Sequence, residues 1–129
     1  MTQSLAISAD TRSRDLVATL ALLYLRHAQP ERALPLSVAA MAMGVPTPEL
    51  ALTVASAFLA CNNPEQAEAV LSRFWSDEPL LDGVPTELQL SAAHSLSAKI
   101  AHRMGDTQAA RAALKKAADL GDDPASGTR

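Results

Sequence analysis

The stretch RDLVATLALLYLRHAQPERA (residues 14–33) returns in outline as PELALTVASAFLACNNPEQA (residues 48–67), an offset of 34 residues. Leu16, Thr19, Ala21, Leu25, Pro30, Glu31 and Ala33 recur as Leu50, Thr53, Ala55, Leu59, Pro64, Glu65 and Ala67, and Tyr24 returns as another aromatic, Phe58. Small residues on an apolar pattern, followed by a Pro-Glu-x-Ala restart, read as a pair of helices joined by a short turn and then repeated. The composition agrees: 48% of the residues are hydrophobic but only 3% aromatic. Such an interior is built of Ala, Leu and Val. Ala has the highest helix propensity and lets backbones approach closely, so the sequence predicts an all-α fold.

Punctuation outside the two stretches extends the pattern. A first helix is expected to start near Ser13–Asp15 and run to about His27. Pro30 and Glu31 restart a second, because proline at the first helical position loses no hydrogen bond and a carboxylate suits the positive helix end. That helix carries Ala33, Leu36, Ala39, Ala40 and Met43 and stops at Gly44, with Pro46 beyond. Pro35 lies inside it, which predicts a kink or a late start. Thr47-Pro48-Glu49 opens a third helix to about Cys61, and Asn63-Pro64-Glu65 a fourth ending near Trp75. The connection from Trp75 to Pro85, rich in Asp, Pro and Gly, reads as a loop. Thr86 with Gln89 forms a capping box for a fifth helix to about Met104. Gly105-Asp106 then stops that helix and caps a sixth, carrying Ala110, Leu114, Ala117 and Leu120. Residues 1–13 are expected to be a flexible segment and 121–129 a disordered tail.

These positions resemble the tetratricopeptide repeat. Its usual form has a small residue midway along the first helix, then an aromatic, a glycine at the turn, and two alanines in the second helix. Repeat one supplies Ala21, Tyr24, Ala28, Ala33 and Ala40. Repeat two supplies Ala55, Phe58, Asn62 and Ala67, with Phe74 at the last place. Repeat three supplies Ala98, Ala101, Gly105, Ala110 and Ala117, displaced nine residues by the Trp75–Pro85 loop. The resemblance covers residues 14–120, as repeats of about 14–46, 47–75 and 86–120 with a loop at 76–85. It implies six helices in a short right-handed superhelical array.

The first helix is apolar nearly all round: Leu16, Val17, Ala18, Leu20, Ala21, Leu22, Leu23, Tyr24 and Leu25, with Thr19 the one interruption. A helix in a terminal repeat is covered by its own chain on one side only. A partner, a second copy or the N-terminal segment must cover the rest. In this repeat type the first helix of each pair lines the concave groove, which places Ala18, Leu22 and Leu25 there from repeat one. Repeat two gives Leu52, Ser56 and Leu59, and repeat three gives Ser95, Lys99, His102 and Arg103. The expectation is an apolar trough with a cationic end, suited to an amphipathic helix or an extended apolar segment. Repeats that clamp the acidic C-terminus of heat-shock chaperones place Lys and Asn where this chain has Ala18, Leu22 and Ser56, so that use does not fit.

Other classes are disfavoured on elementary grounds. Net charge is −3, and the 11 Lys and Arg residues form no basic stripe, so nucleic acid is not an expected partner. The longest apolar run, Leu16–Leu25, is about half of what a bilayer requires, and no membrane insertion is expected. The single cysteine, Cys61, excludes an internal disulfide or a multi-cysteine metal site, and reads as a small packed side chain. His94 and His102 stand about 12 Å apart on one helix at 1.5 Å per residue, too far to share a metal. His94 reads as a packed imidazole. There is no phosphate loop, zinc spacing or catalytic triad order, and the Asp77–Glu78 and Asp122–Asp123 pairs read as solvated charge. Neither catalysis nor a cofactor or metal is expected, and the absence of a signal-peptide core points to the cytoplasm.

The string LLYLRHAQPERAL (residues 22–34) further resembles the first repeat of the small chaperones of bacterial type III secretion systems. That resemblance implies a heterodimer or ternary complex with a small helical protein, a needle, translocator or export-apparatus component, held in the groove before export. A homodimeric scaffold or regulatory adaptor is the alternative, since two-sided burial of the first helix allows it equally.

Overall fold

Prolines start three of the helices. In the computed structural model, which describes residues 2–121 and their side chains over 12–120, Pro30, Pro48 and Pro64 each occupy the first helical position. There the missing N–H is one that no helix would have bonded. The element order is α1 Thr2–Arg26, α2 Pro30–Ala42, α3 Pro48–Ala60, α4 Pro64–Leu71, α5 Glu87–Arg103 and α6 Thr107–Gly121. The described chain is all-helical, with no strand. The N-terminus of α3 is capped by Thr47, whose hydroxyl accepts from Leu50 N–H at 3.2 Å. At α5 the expected capping box is complete: Gln89 N–H donates to Thr86 Oγ1 at 3.1 Å, and Thr86 N–H to Gln89 Oε1 at 2.9 Å. Asp106 caps α6 by accepting from Ala109 N–H.

The helices pair as α1/α2, α3/α4 and α5/α6, and each pair closes on a turn of one construction. Ala28, Asn62 and Gly105 all have left-handed backbones, with φ of 57°, 64° and 84°. The following N–H in each case reaches back to a carbonyl five residues earlier. Gln29 bonds Tyr24, Asn63 bonds Phe58 and Asp106 bonds Ala101, all at 2.8 Å. This is the Schellman closure, which satisfies carbonyls that a helix end would otherwise leave open. The pairs then stack through α2 on α3 and α4 on α5, with α3 also touching α1 and α5.

Consequently α3 is the most enclosed helix. Leu50, Ala51, Thr53, Val54, Ala55, Ala57 and Leu59 are all buried, and around them the core gathers Ala40, Ala67, Val70, Leu71, Phe74, Ala93 and Ile100. The alanines are what let the helices approach. Each buried Ala removes little apolar area itself, but it brings neighbouring Leu71 and Ile100 into full burial, about 1.5–3 kcal/mol for each such large side chain.

Three details differ from the sequence reading. First, α1 begins at Thr2, well ahead of Ser13–Asp15, so residues 2–13 are helical where a flexible segment was expected. Thr2–Arg12 contains neither Gly nor Pro, and nothing in it stops a helix growing back from the packed part. Second, α2 starts at Pro30 and runs through Pro35, which removes the late start of the two expected alternatives. The carbonyl that Pro35 leaves unserved belongs to Glu31, an exposed residue of the first turn, where solvent can satisfy it. Third, the helix expected to end near Trp75 closes as a 3₁₀ turn over Ser72–Trp75 after α4. The 76–85 loop is tied down. Asp82 N–H donates to Pro46 O at 2.7 Å, Arg73 Nη1 donates to Leu80 O at 3.1 Å, and Leu81 packs on the core. The expected tail at 121–129 lies outside the described residues except for Gly121, which closes α6.

Candidate functional site

Helical spacing puts three matching rows of side chains on α1, α3 and α5: Asp15-Ala18-Leu22-Leu25, Glu49-Leu52-Ser56-Leu59 and Ala92-Ser95-Lys99-His102. Steps of three, four and three residues keep each row on one face. Ala18, Leu22, Leu25, Leu52, Ser56 and Ser95 are half-buried, while Asp15, Glu49, Lys99 and His102 are exposed. Leu59 is an exception among the predicted groove residues: it is buried in the core and offers its backbone instead.

Two clefts of about 360 Å³ each divide the predicted residues. The first brings Ala18 and Leu22 of α1 together with Thr47–Leu50 and Thr53 of α3 and reaches Gln89 at the start of α5. Two exposed carboxylates, Asp15 and Glu49, line it. The second joins Leu59, Lys99, His102 and Arg103 with Ala98 of α5 and Ala110 and Leu114 of α6. Ten residues of α3 separate Glu49 from Leu59, so the clefts sit about 15 Å apart along that helix. Leu25, Leu52 and Ser56 line neither cleft, and Leu52 packs partly against the core.

The trough expected to be apolar with a cationic end therefore carries charge of opposite sign at its two ends. The acidic end went unread in the sequence because Asp15 and Glu49 both look like helix-start signals, which the structure upholds for Glu49 alone, since α1 begins at Thr2 and Asp15 lies inside it. At the cationic end, Arg103 Nη1 donates to Leu59 O at 2.9 Å. That bond fixes the guanidinium against the C-terminal end of α3, where the helix dipole favours a cation.

A third cleft of about 390 Å³ opens on the side of α4 and α6 and is lined by Glu68, Trp75, His94, Ser97 and Lys116 among others. His94 lies half-buried with its ring stacked on Trp75, centroids 5.0 Å apart and planes within 10°. Burial, with Lys116 adding its charge, holds the His94 imidazole below the ordinary histidine range. Packing was expected for His94; the Trp75 partner was not, because the two lie on either side of the inserted loop and no period links them. Cys61 closes α3 as a half-buried free thiol. Burial, with Glu31 contributing, raises its pKa above that of a free thiol, which leaves it protonated and a poor nucleophile. Among the described residues no group of His, Cys, Asp and Glu is placed to hold a metal ion, and no helix is long and apolar enough to cross a membrane.

No family model, no curated protein and no solved structure matches this chain.

Proposed function

We propose that this protein binds polypeptide, holding a helical segment of another protein along the face shared by α1, α3 and α5. The observation that carries this reading is the polarity of that face: carboxylates Asp15 and Glu49 at one end and Lys99, His102 and Arg103 at the other. Half-buried Leu22, Leu25 and Leu52 lie between them. A bound helix has a positive N-terminal end and a negative C-terminal end. It would lie with its N-terminus over Asp15 and Glu49 and its apolar stripe on the leucines. The finer reading rests on the resemblance of residues 22–34 to the tetratricopeptide chaperones of type III secretion. On that reading the bound segment belongs to a small secreted or export-apparatus protein kept from aggregating in the cytoplasm before export. A homodimeric scaffold is the second reading, prompted by bare leucines on the outer side of α1.

Leu59 is buried, so its replacement would test folding rather than binding. The cleaner test combines Leu22→Asp with Lys99→Glu, both at the face and neither in the core. Co-expressed with the small helical proteins encoded beside its gene, the wild-type chain should co-purify with one of them in fixed stoichiometry. The double variant should lose that protein while its far-ultraviolet circular dichroism is unchanged. Retention of the client by a folded double variant would remove this face from the binding site.

A further inference from the structure

The outer side of α1 exposes three large apolar residues, Leu16 at 63%, Leu20 at 41% and Leu23 at 46%. Their counterparts 34 residues on, Leu50, Val54 and Ala57, are all buried. The difference has a visible cause. In the second hairpin that side of α3 is covered by the hairpin before it, chiefly by α2. No described helix occupies the corresponding place on α1. Beside the bare leucines lies a shallow cleft of about 260 Å³, lined by Leu20, Leu23, Tyr24, His27 and Gln29.

Charge gives one indication of what lies there. Asp15 and Arg26 flank the leucine stripe on the same side, because their spacing in sequence brings them within about 20° of each other around the helix. They stand about 16 Å apart along it, and both are exposed. Among the described residues Arg26 has no carboxylate partner, and Asp15 has only a 3.6 Å contact with Arg14. A two-fold axis crossing α1 midway between them, level with Leu20 and Ala21, lays a second α1 antiparallel on the first. Positions on the same flank then face one another, so Asp15 of each copy meets Arg26 of the other. The match is reciprocal, as a two-fold contact requires. Arg12, further along, comes level with the uncharged Gln29 of the other copy.

Shape selects the same register independently. With the axis at that level, Leu16 of one copy stands opposite position 25 of the other, within the span of the cleft that runs from Leu20 to Gln29. Leu16 is the most exposed of the three leucines, and the cleft is where it lands. The other leucines interleave. Along the seam, Leu16, Leu20 and Leu23 of one copy alternate with Leu23, Leu20 and Leu16 of the other, so the side chains interdigitate instead of colliding. The charge match does not require this alternation. Two separate features of α1 therefore agree on one occupant and one alignment.

We propose that two copies of this chain pair through α1, antiparallel about a two-fold axis level with Leu20 and Ala21. Each copy seats Leu16 in the other's cleft and closes an Asp15–Arg26 ion pair with it. The proposal rests on the homodimer reading and adds to it the face, the direction and the register of the pair. Asp15 stands at the border between this stripe and the face shared by α1, α3 and α5. Leu22, Leu52 and Lys99 lie on that face and stay outside the α1 seam, so the paired protein can still hold a client.

An interface made by one helix from each copy belongs to the small, weak class. The full chain is therefore sedimented from about 1 μM to about 1 mM, a range that brackets weak dissociation constants. It should pass from monomer to dimer. Leu16→Asp with Leu23→Asp, both exposed, should weaken the dimer at least ~10-fold with unchanged circular dichroism. Asp15→Arg alone and Arg26→Asp alone should each weaken it by roughly 10-fold, since either one turns both ion pairs into like-charge contacts. Asp15→Arg combined with Arg26→Asp should restore wild-type association, because every contact again joins opposite charges. A chain that stays monomeric throughout overturns the proposal together with the homodimer reading. A dimer indifferent to the leucine substitutions leaves that reading standing and overturns the proposal. So does a dimer that the single charge reversals leave unchanged, or one that the double reversal fails to restore. A monomer that sheds a co-expressed protein on Leu16→Asp with Leu23→Asp also overturns it, because the face then belongs to that protein.

Discussion

Ala28 holds a backbone conformation that suits glycine, at φ 57°, and does so in a turn that Asn62 and Gly105 close with residues better fitted to it. A Cβ in the left-handed region costs roughly 1–2 kcal/mol, less for asparagine. Ala28→Gly should therefore stabilise the protein by about 1 kcal/mol, visible as a higher urea midpoint with an unchanged slope. A lower midpoint would mean that the turn is not strained. His94 offers a second residue-level test. Trp75 is the only tryptophan, and the imidazole stacked on it titrates below the ordinary range. Protonated imidazole quenches indole emission, so Trp75 fluorescence should fall as pH drops, with a midpoint below about 6.5. His94→Gln should abolish the step. Stability follows the same group. The unfolded chain takes up the proton first as pH falls, so folding stability begins to decline near pH 6.5 and the decline levels off below the folded-state value. A midpoint at or above the free-histidine value would contradict the burial.

Among the elements, α2 is the one that contradicts its own sequence. Pro35 lies inside a helix that runs from Pro30 to Ala42, held there by the burial of Ala33, Ser37 and Ala40 against its neighbours. Proline in a helix interior costs around 3 kcal/mol against alanine. Part of that is recovered here because Glu31 lies in the exposed first turn. Pro35→Ala should raise stability by about 2 kcal/mol, measured by thermal or urea unfolding; no change would mean that the helix is already broken at this point. The other helices show what a sequence makes legible. Pro30, Pro48, Pro64 and the Thr86–Gln89 box announce their helices because each is a local chemical signal. The start of α1 was misplaced because Thr2–Arg12 carries no such signal, and only continuity with the packed turns extends the helix back. The 3₁₀ closure at Ser72–Trp75 is equally silent, being imposed by the burial of Phe74.

At the scale of the whole molecule, the period of 34 located the rows on α1 and α3, and the same period displaced by nine residues located the row on α5, because equivalent positions recur in successive hairpins. It could not show that Leu59 belongs to the core, since a row position says which way a side chain faces and not what stands over it. Nor could it show that the bare side of α1 matches a covered side of α3, which needs the α2 contact to be seen. The loop at 76–85 breaks the period and proves to do more than join. Arrays of stacked hairpins are coupled only between neighbours, and so tend to fray from their ends. Here Asp82, on the way into the third hairpin, is bonded to Pro46 between the first and second, while Leu81 lies on the shared core. The last hairpin is thus leashed to the front of the array, and opening the far end must disturb the near one. A short stack held in this way is expected to unfold in one transition, coincident by fluorescence and circular dichroism, rather than piecemeal.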